Sequence, residues 1–178
     1  MRELEKSYQF QTFNEPQLES MLNEAARFDR EATENKAPRW LSFCGPSGIG
    51  KTHVATQLFK SLEPLFHDHP SLLSGAKKII WPRLLPRLRD GDYWLIDDIR
   101  DAHLVLLDDF GTERPTEFAL EKLYEIIEAR TRKWTILTCN LSLAQIAELM
   151  DTRIASRLLR DGSKVLDIAV QDFNLRAP

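Results

Sequence analysis

The sequence predicts an α/β fold built on a parallel sheet, and three observations carry that reading. A glycine-rich loop, Gly45-Pro46-Ser47-Gly48-Ile49-Gly50-Lys51-Thr52, joins an apolar run to a stretch of helical periodicity. A continuous apolar run, Leu104-Val105-Leu106-Leu107, has the composition of a central strand covered on both faces. Short apolar runs alternate with helical patterns along the rest of the chain, as they do where crossover helices connect parallel strands.

The elements follow in order. Asn14-Glu15-Pro16 predicts the start of an acidic amphipathic helix with Leu18, Met21, Leu22 and Ala25-Ala26 on its apolar side. Lys36-Ala37-Pro38 reads as a loop before the first strand, Trp40-Leu41-Ser42-Phe43-Cys44. Val54, Ala55, Leu58, Phe59 and Leu62 recur at helical spacing after the glycine loop. His67 to Gly75 is weakly patterned and predicts irregular structure. Ile79-Ile80-Trp81 predicts a second strand, and Leu84, Leu85 and Leu88 with Tyr93-Trp94-Leu95-Ile96 predict one or two short helices. Thr116 to Arg130 reads as a helix in which Leu120, Leu123, Tyr124 and Ile127 share a face and Glu128 pairs with Arg132. Thr135-Ile136-Leu137-Thr138 is the next strand. Ser142 with Gln145 makes a capping box for a helix that places Leu143, Ile146, Ala147 and Met150 inside. Asp151 to Arg160 predicts a short helix stopped by Gly162, and Val165 to Val170 the fifth strand.

Composition narrows the function classes. The 178 residues suit one domain with a real core, read as an N-terminal helical extension (1–36) and a core (37–178) that carries the glycine-rich loop. A 43% apolar fraction without any long apolar run predicts a soluble protein with no membrane partner, and the absence of a signal-peptide layout makes the cytoplasm the expected location. The net charge of −3 argues against a uniformly basic nucleic-acid binder. Two cysteines, Cys44 and Cys139, fit no metal-ligand spacing and end apolar strands, so buried free thiols are expected. Lys77, Lys78, Arg83, Arg87 and Arg89 form a basic segment beside Trp81, Tyr93 and Trp94, a combination that could neutralise phosphates and stack bases of single-stranded DNA; Trp81 is expected in the core instead.

The loop from Gly45 to Thr52 fits G-x-x-x-x-G-K-[ST] in full. Its glycines let backbone N–H groups turn inward toward phosphates, and the following helix adds the positive end of its dipole. Lys51 is placed to reach the β and γ phosphates of ATP, Thr52 to hold Mg²⁺, and the adjacent His53 to line the same cradle. Asp108 and Asp109 follow the apolar strand at its carboxyl end, where ligands sit in open α/β sheets. Asp108 is the expected Mg²⁺ ligand and Asp109 the group that polarises the attacking water. Asn140, at the end of the next strand, could bond the γ-phosphate or its water. Arg153, Arg157 and Arg160 fall at one-face helical spacing; Arg157, then Arg153, is the candidate arginine finger offered to a neighbouring subunit.

Gly-Pro-Ser-Gly-Ile-Gly-Lys-Thr, Leu-Leu-Asp-Asp-Phe-Gly, Glu-Lys-Leu-Tyr-Glu-Ile-Ile, Thr-Cys-Asn-Leu-Ser and Arg-Ile-Ala-Ser-Arg-Leu occur in that order from about Phe10 to Ile168. Together they resemble the AAA+ ATPase domain of bacterial replicative-helicase loaders of the DnaC and DnaI type, and equally the transposition helper ATPases of the IstB type. The resemblance implies a P-loop NTPase (AAA+/ASCE) three-layer sandwich with a mostly parallel five-stranded sheet. It implies Walker A at Gly45 to Thr52, Walker B at Asp108 and Asp109, sensor 1 at Asn140 and the finger at Arg157. It also implies ATP and Mg²⁺ as cofactors, a replicative helicase or transposase-like partner, DNA, and an ATP-dependent homo-oligomer. The implied sheet order sets Cys44 beside Cys139. Three departures shape the expectation. Asp109 stands where many such proteins carry Glu, so slow, partner- or DNA-stimulated hydrolysis is expected. The sequence given ends at Pro178, which leaves no room for a full helical lid. An N-terminal helicase-docking domain is not seen, so the expectation is either partner binding through the acidic N-terminal helix or another surface, or a minimal or excised module. Two other activities stay open: a nucleotide-gated adaptor with little hydrolysis, and a small-molecule kinase using Arg83 to Arg89.

Overall fold

The computed structural model describes residues 16–67, 75–111 and 115–170. The Asn14-Glu15 start of the first helix, most of the His67–Gly75 stretch and the segment after Val170 lie outside the described residues. In chain order the elements are α1 (Pro16–Thr33), β1 (Trp40–Cys44), α2 (Lys51–His67), β2 (Ala76–Ile80), α3 (Trp81–Arg89), α4 (Trp94–Asp101), β3 (Leu104–Phe110), α5 (Glu117–Ala129), β4 (Trp134–Cys139), α6 (Leu143–Leu149), α7 (Thr152–Leu158) and β5 (Lys164–Asp167). The five strands form one sheet in the order β2-β3-β4-β1-β5, and every pairing is parallel.

The period-2 alternation of strand side chains divides the core in two. Leu41 and Phe43 of β1, Leu104 and Leu106 of β3, and Trp134 and Ile136 of β4 face α1 and α2. Cys44, Val105, Leu107, Leu137 and Cys139 face the opposite layer, built from α3 to α7. The expected three-layer sandwich is therefore present. On the first face, Phe28 of α1 packs edge-on against Trp134 at 5.0 Å between ring centroids. Arg39 holds α1 down through an ion pair with Glu31 and a guanidinium 5.1 Å from the centre of the Phe28 ring.

Arg130 caps α5 and is fully buried. It donates to the carbonyls of Ile99, Ala102 and Trp134 and to Thr135 Oγ1, which ties the end of α4 and the starts of β3 and β4 together. Burial pushes its pKa down to about 9.

Several elements differ from their sequence reading. Trp81 does not end β2 but begins α3, where Pro82 suits the first helical turn; the strand instead starts at Ala76. β3 continues past Leu107 through both aspartates to Phe110. Glu128 does not pair with Arg132. The helix stops at Ala129, Arg132 adopts φ +58°, and the Glu128 carboxylate takes Arg157 and Arg160 instead. α7 ends at Leu158, so Arg160 lies beyond the helix that was to carry it. β5 ends at Asp167, after which the Ile168 amide still donates to Cys44 O at 2.9 Å.

Candidate functional site

The glycine loop turns at three positive-φ residues, Gly45, Gly48 and Gly50. At Gly45 the need is absolute: φ is +129°, and a Cβ there would lie 2.1 Å from the Ile168 carbonyl oxygen. β5 and the segment after it thus form the wall against which the loop turns. Lys51 is the first residue of α2 and is only 5% exposed. Its ammonium donates to the carbonyls of Gly45 at 2.9 Å and Pro46 at 2.6 Å, closing the loop on itself. Burial lowers its pKa below the usual lysine value.

Asp108 is the convergence point. Its Oδ1 accepts from Thr52 Oγ1 at 2.9 Å and from Thr138 Oγ1 at 2.7 Å, while Lys78 Nζ lies 3.5 Å from Oδ2. The carboxylate is almost completely buried. The strand register explains how both acids come to the loop. Leu107 pairs with Leu137 and Phe110 with Cys139, so Asp108 and Asp109 together oppose the single residue Thr138. This is a β-bulge, and Asp109 takes φ +58° in it. The Thr138 hydroxyl serves both acids: it accepts the Asp109 amide at 2.9 Å and donates to Asp108. Burial, and then the charge of Asp108, raise the Asp109 pKa above the usual carboxylate value.

An open cleft of about 620 Å³ lies over these groups. Ser47, Gly48, Gly50, Lys51, Thr52 and His53 form its floor, and Asp109 and Asn140 close one side. Thr56, Gln57 and Lys60 extend it along α2. Cys44 and Cys139 are register partners behind the loop, both buried and both free. Leu141 N–H donates to Cys139 Sγ at 3.3 Å. A hydrogen bond to Cys139 and burial hold the proton on Cys44 and push its pKa up.

The structure thus brings Lys51, Thr52, His53, Asp108, Asp109 and Asn140 together with the loop. Arg157 is elsewhere. It stacks 4.3 Å from the centre of the Tyr124 ring and bonds Glu128 and the Tyr124 hydroxyl, all on α5. Arg153 pairs with Asp151 at 2.6 Å. Of the basic segment, Lys77 pairs with Asp98 and Arg87 with Asp92. Trp81 is in the core, whereas Tyr93 and Trp94 are each more than half exposed. Two residues of the cluster escaped the sequence reading. Thr138 left one signal, a hydroxyl inside an apolar strand run; Lys78 left none beyond belonging to a basic segment.

The fold is shared with solved structures. A crystal structure of the DnaC helicase loader is 26% identical, with a TM-score of 0.65 over 82% of this chain and 89% of that one. The chain is a member of the AAA+ ATPase superfamily. Within that superfamily no single subfamily is distinguished, and no family model matches the sequence. A crystal structure of DnaI gives a TM-score of 0.65 at 21% identity, over 84% of this chain and 82% of that one. A replication initiator DnaA bound to AMPPCP and single-stranded DNA shares the fold at 18% identity and a TM-score of 0.63, over 83% of this chain and 46% of that one. In Sinorhizobium fredii, a protein named as the insertion-sequence ATP-binding protein y4pL is 32% identical over 112 residues. That match takes in 62% of this AAA+ chain but spans less than half, 44%, of the relative's length. No helix among the described residues is long and apolar enough to cross a membrane.

Proposed function

We propose that the cleft binds Mg-ATP and hydrolyses it slowly, and that the AAA+ module uses this cycle to assemble with or remodel a DNA-processing partner of the helicase or transposase kind. The observation that carries the reading is the Thr52 hydroxyl 2.9 Å from Asp108 at the mouth of the glycine loop. A hydroxyl and a carboxylate are hard oxygen donors, and Mg²⁺ takes few protein ligands of that kind beside phosphate oxygens. The residues present therefore fit the metal. Thr52 and Asp108 would hold it, and it would supply charge neutralisation on the phosphates. Lys51 and the loop amides bind and orient the phosphate tail; Asp109 and Asn140 are placed to orient a water. The likeness to a helicase loader and to an insertion-sequence ATP-binding protein supports the partner class. A homo-oligomer, with Arg157 presented to a neighbour, belongs to the same proposal.

A second reading, a nucleotide-gated adaptor with little turnover, is favoured by one observation. Arg157 is only 14% exposed and committed to Glu128 and Tyr124. A finger tied within its own subunit supports binding without rapid hydrolysis until assembly releases it. One experiment separates the two readings and tests both. ATP binding and turnover are measured with and without Mg²⁺, single-stranded DNA and added chain. Hydrolysis that rises with DNA or concentration supports the first reading. Binding with negligible turnover throughout supports the second. ATP turnover that survives Lys51→Ala rejects the site.

A further inference from the structure

We propose that Lys78 is a resident counter-cation of Asp108 that competes with the divalent metal and so sets the magnesium dependence of nucleotide uptake. The inference rests on the reading of the cleft as an Mg-ATP site, but it concerns a residue outside the loop motif. β2 runs parallel to β3 with Ile80 opposite Asp108, and Lys78 lies two residues earlier on the same strand. Its ammonium spans the gap: it lies 3.5 Å from Asp108 Oδ2 and donates to Thr56 Oγ1 of α2 at 2.9 Å. A carboxylate buried to this degree needs a compensating charge. Lys51 makes its hydrogen bonds to the Gly45 and Pro46 carbonyls. Among the described residues, Lys78 is the cation in ion-pair contact with Asp108.

The two anchors of Lys78 differ in what they allow. Its side chain is about a third exposed, at 31%, and the flexible four-carbon stem lets the ammonium swing to water. Asp108 cannot move in this way, because two hydroxyls hold its Oδ1. A divalent ion arriving beside Thr52 therefore meets a fixed carboxylate and a movable competitor. While the metal is absent, Lys78 keeps the acid pair from repelling the phosphates. Once the metal is bound, the same charge opposes it. Removing the charge should weaken metal-free binding and strengthen the metal's hold. A lysine that merely supports the fold would change stability and leave the metal midpoint alone.

The test is equilibrium binding of a fluorescent ADP analogue to the full chain across a Mg²⁺ series, with thermal unfolding in parallel. Lys78→Met removes the charge; Lys78→Gln removes it but keeps a donor for Thr56; Lys78→Arg keeps it. The expected result for Met and Gln is a Mg²⁺ midpoint lower by roughly fivefold and metal-free affinity weaker by a similar factor, the scale of a part-exposed ion pair. Arg should stay near the unmodified chain. Gln carries the test if Met fails to fold. A midpoint unchanged in Gln while nucleotide still binds overturns the inference and leaves the ATP reading intact. An Arg variant that shifts as Gln does also overturns it. An unmodified chain that binds no nucleotide overturns the ATP reading, and this inference with it.

Discussion

Two charged clusters of the molecule follow opposite rules. At the strand ends around the loop, Lys51, Thr52 and Asp109 line an open cleft, and the buried Asp108 is held by Thr52, Thr138 and Lys78. On the α5–α7 face, Arg153, Arg157 and Arg160 are each paired within the chain, to Asp151 or Glu128. The difference is one of backbone. Parallel strands end together, so residues far apart in sequence are held at fixed spacing around a space that no side chain fills. The helix face has no such constraint, and its long side chains fold down onto the nearest acid or ring. A convergent cluster with room inside is a candidate site; a satisfied cluster is a brace until something competes for its members.

Four perturbations sharpen or break that contrast. The largest effect is expected for Gly45→Ala. A Cβ 2.1 Å from a backbone oxygen, at a φ of +129°, has no flexible neighbour to yield. A loss of about 4 kcal/mol or failure to fold is expected in denaturant unfolding; a variant as stable as the parent would mean that the loop is not built against Ile168. Next, Lys51→Ala should weaken ATP about a hundredfold in calorimetry while secondary structure by circular dichroism is kept. Affinity within a factor of three of the parent would remove the loop from the account. Arg157→Ala should cost about 1 kcal/mol of stability, the scale of a part-buried ion pair and ring contact. If it acts as a finger, turnover in concentrated samples should fall further than stability does; parallel losses would leave it a brace.

The smallest effect is a pH dependence. The Asp109 pKa is raised on folding, first by burial and then by Asp108. The folded state therefore holds the proton over a window just above the ordinary value of 3.8 in which the unfolded chain has lost it. The Asp109 contribution to stability should fall as pH rises through that window, so the unmodified chain should gain less stability there than Asp109→Asn does. Urea titrations of both chains between pH 3.5 and 6 would show it; a parent curve that rises no less than the variant's contradicts the burial of Asp109.

How much was legible in the sequence follows the same divide. The loop, β1, the capping box at Ser142 and the central strand were readable because local pattern decides them. The pairing of Cys44 with Cys139 came only through family resemblance, since sheet order is not written in any one segment. Trp81 was misplaced because an apolar run before Pro82 reads equally as a strand end or a first helical turn. Glu128 was given the partner four residues on, and the helix end at Ala129 took that partner away. Lys78 read as part of a basic patch. Its contact with Asp108 depends on β2 lying beside β3, which no residue near it announces. The bulge at Asp108 and Asp109 was likewise invisible, because it exists only relative to Thr138 on another strand.

Asp108, held by Thr52 and Thr138, is the proposed point at which a metal joins a nucleotide to this chain. Calorimetric titration of ATP into the chain and into Asp108→Asn, each with and without Mg²⁺, tests it most directly. Mg²⁺ should tighten ATP binding at least about tenfold in the parent and by less than about twofold in the variant. Equal tightening in both would contradict it.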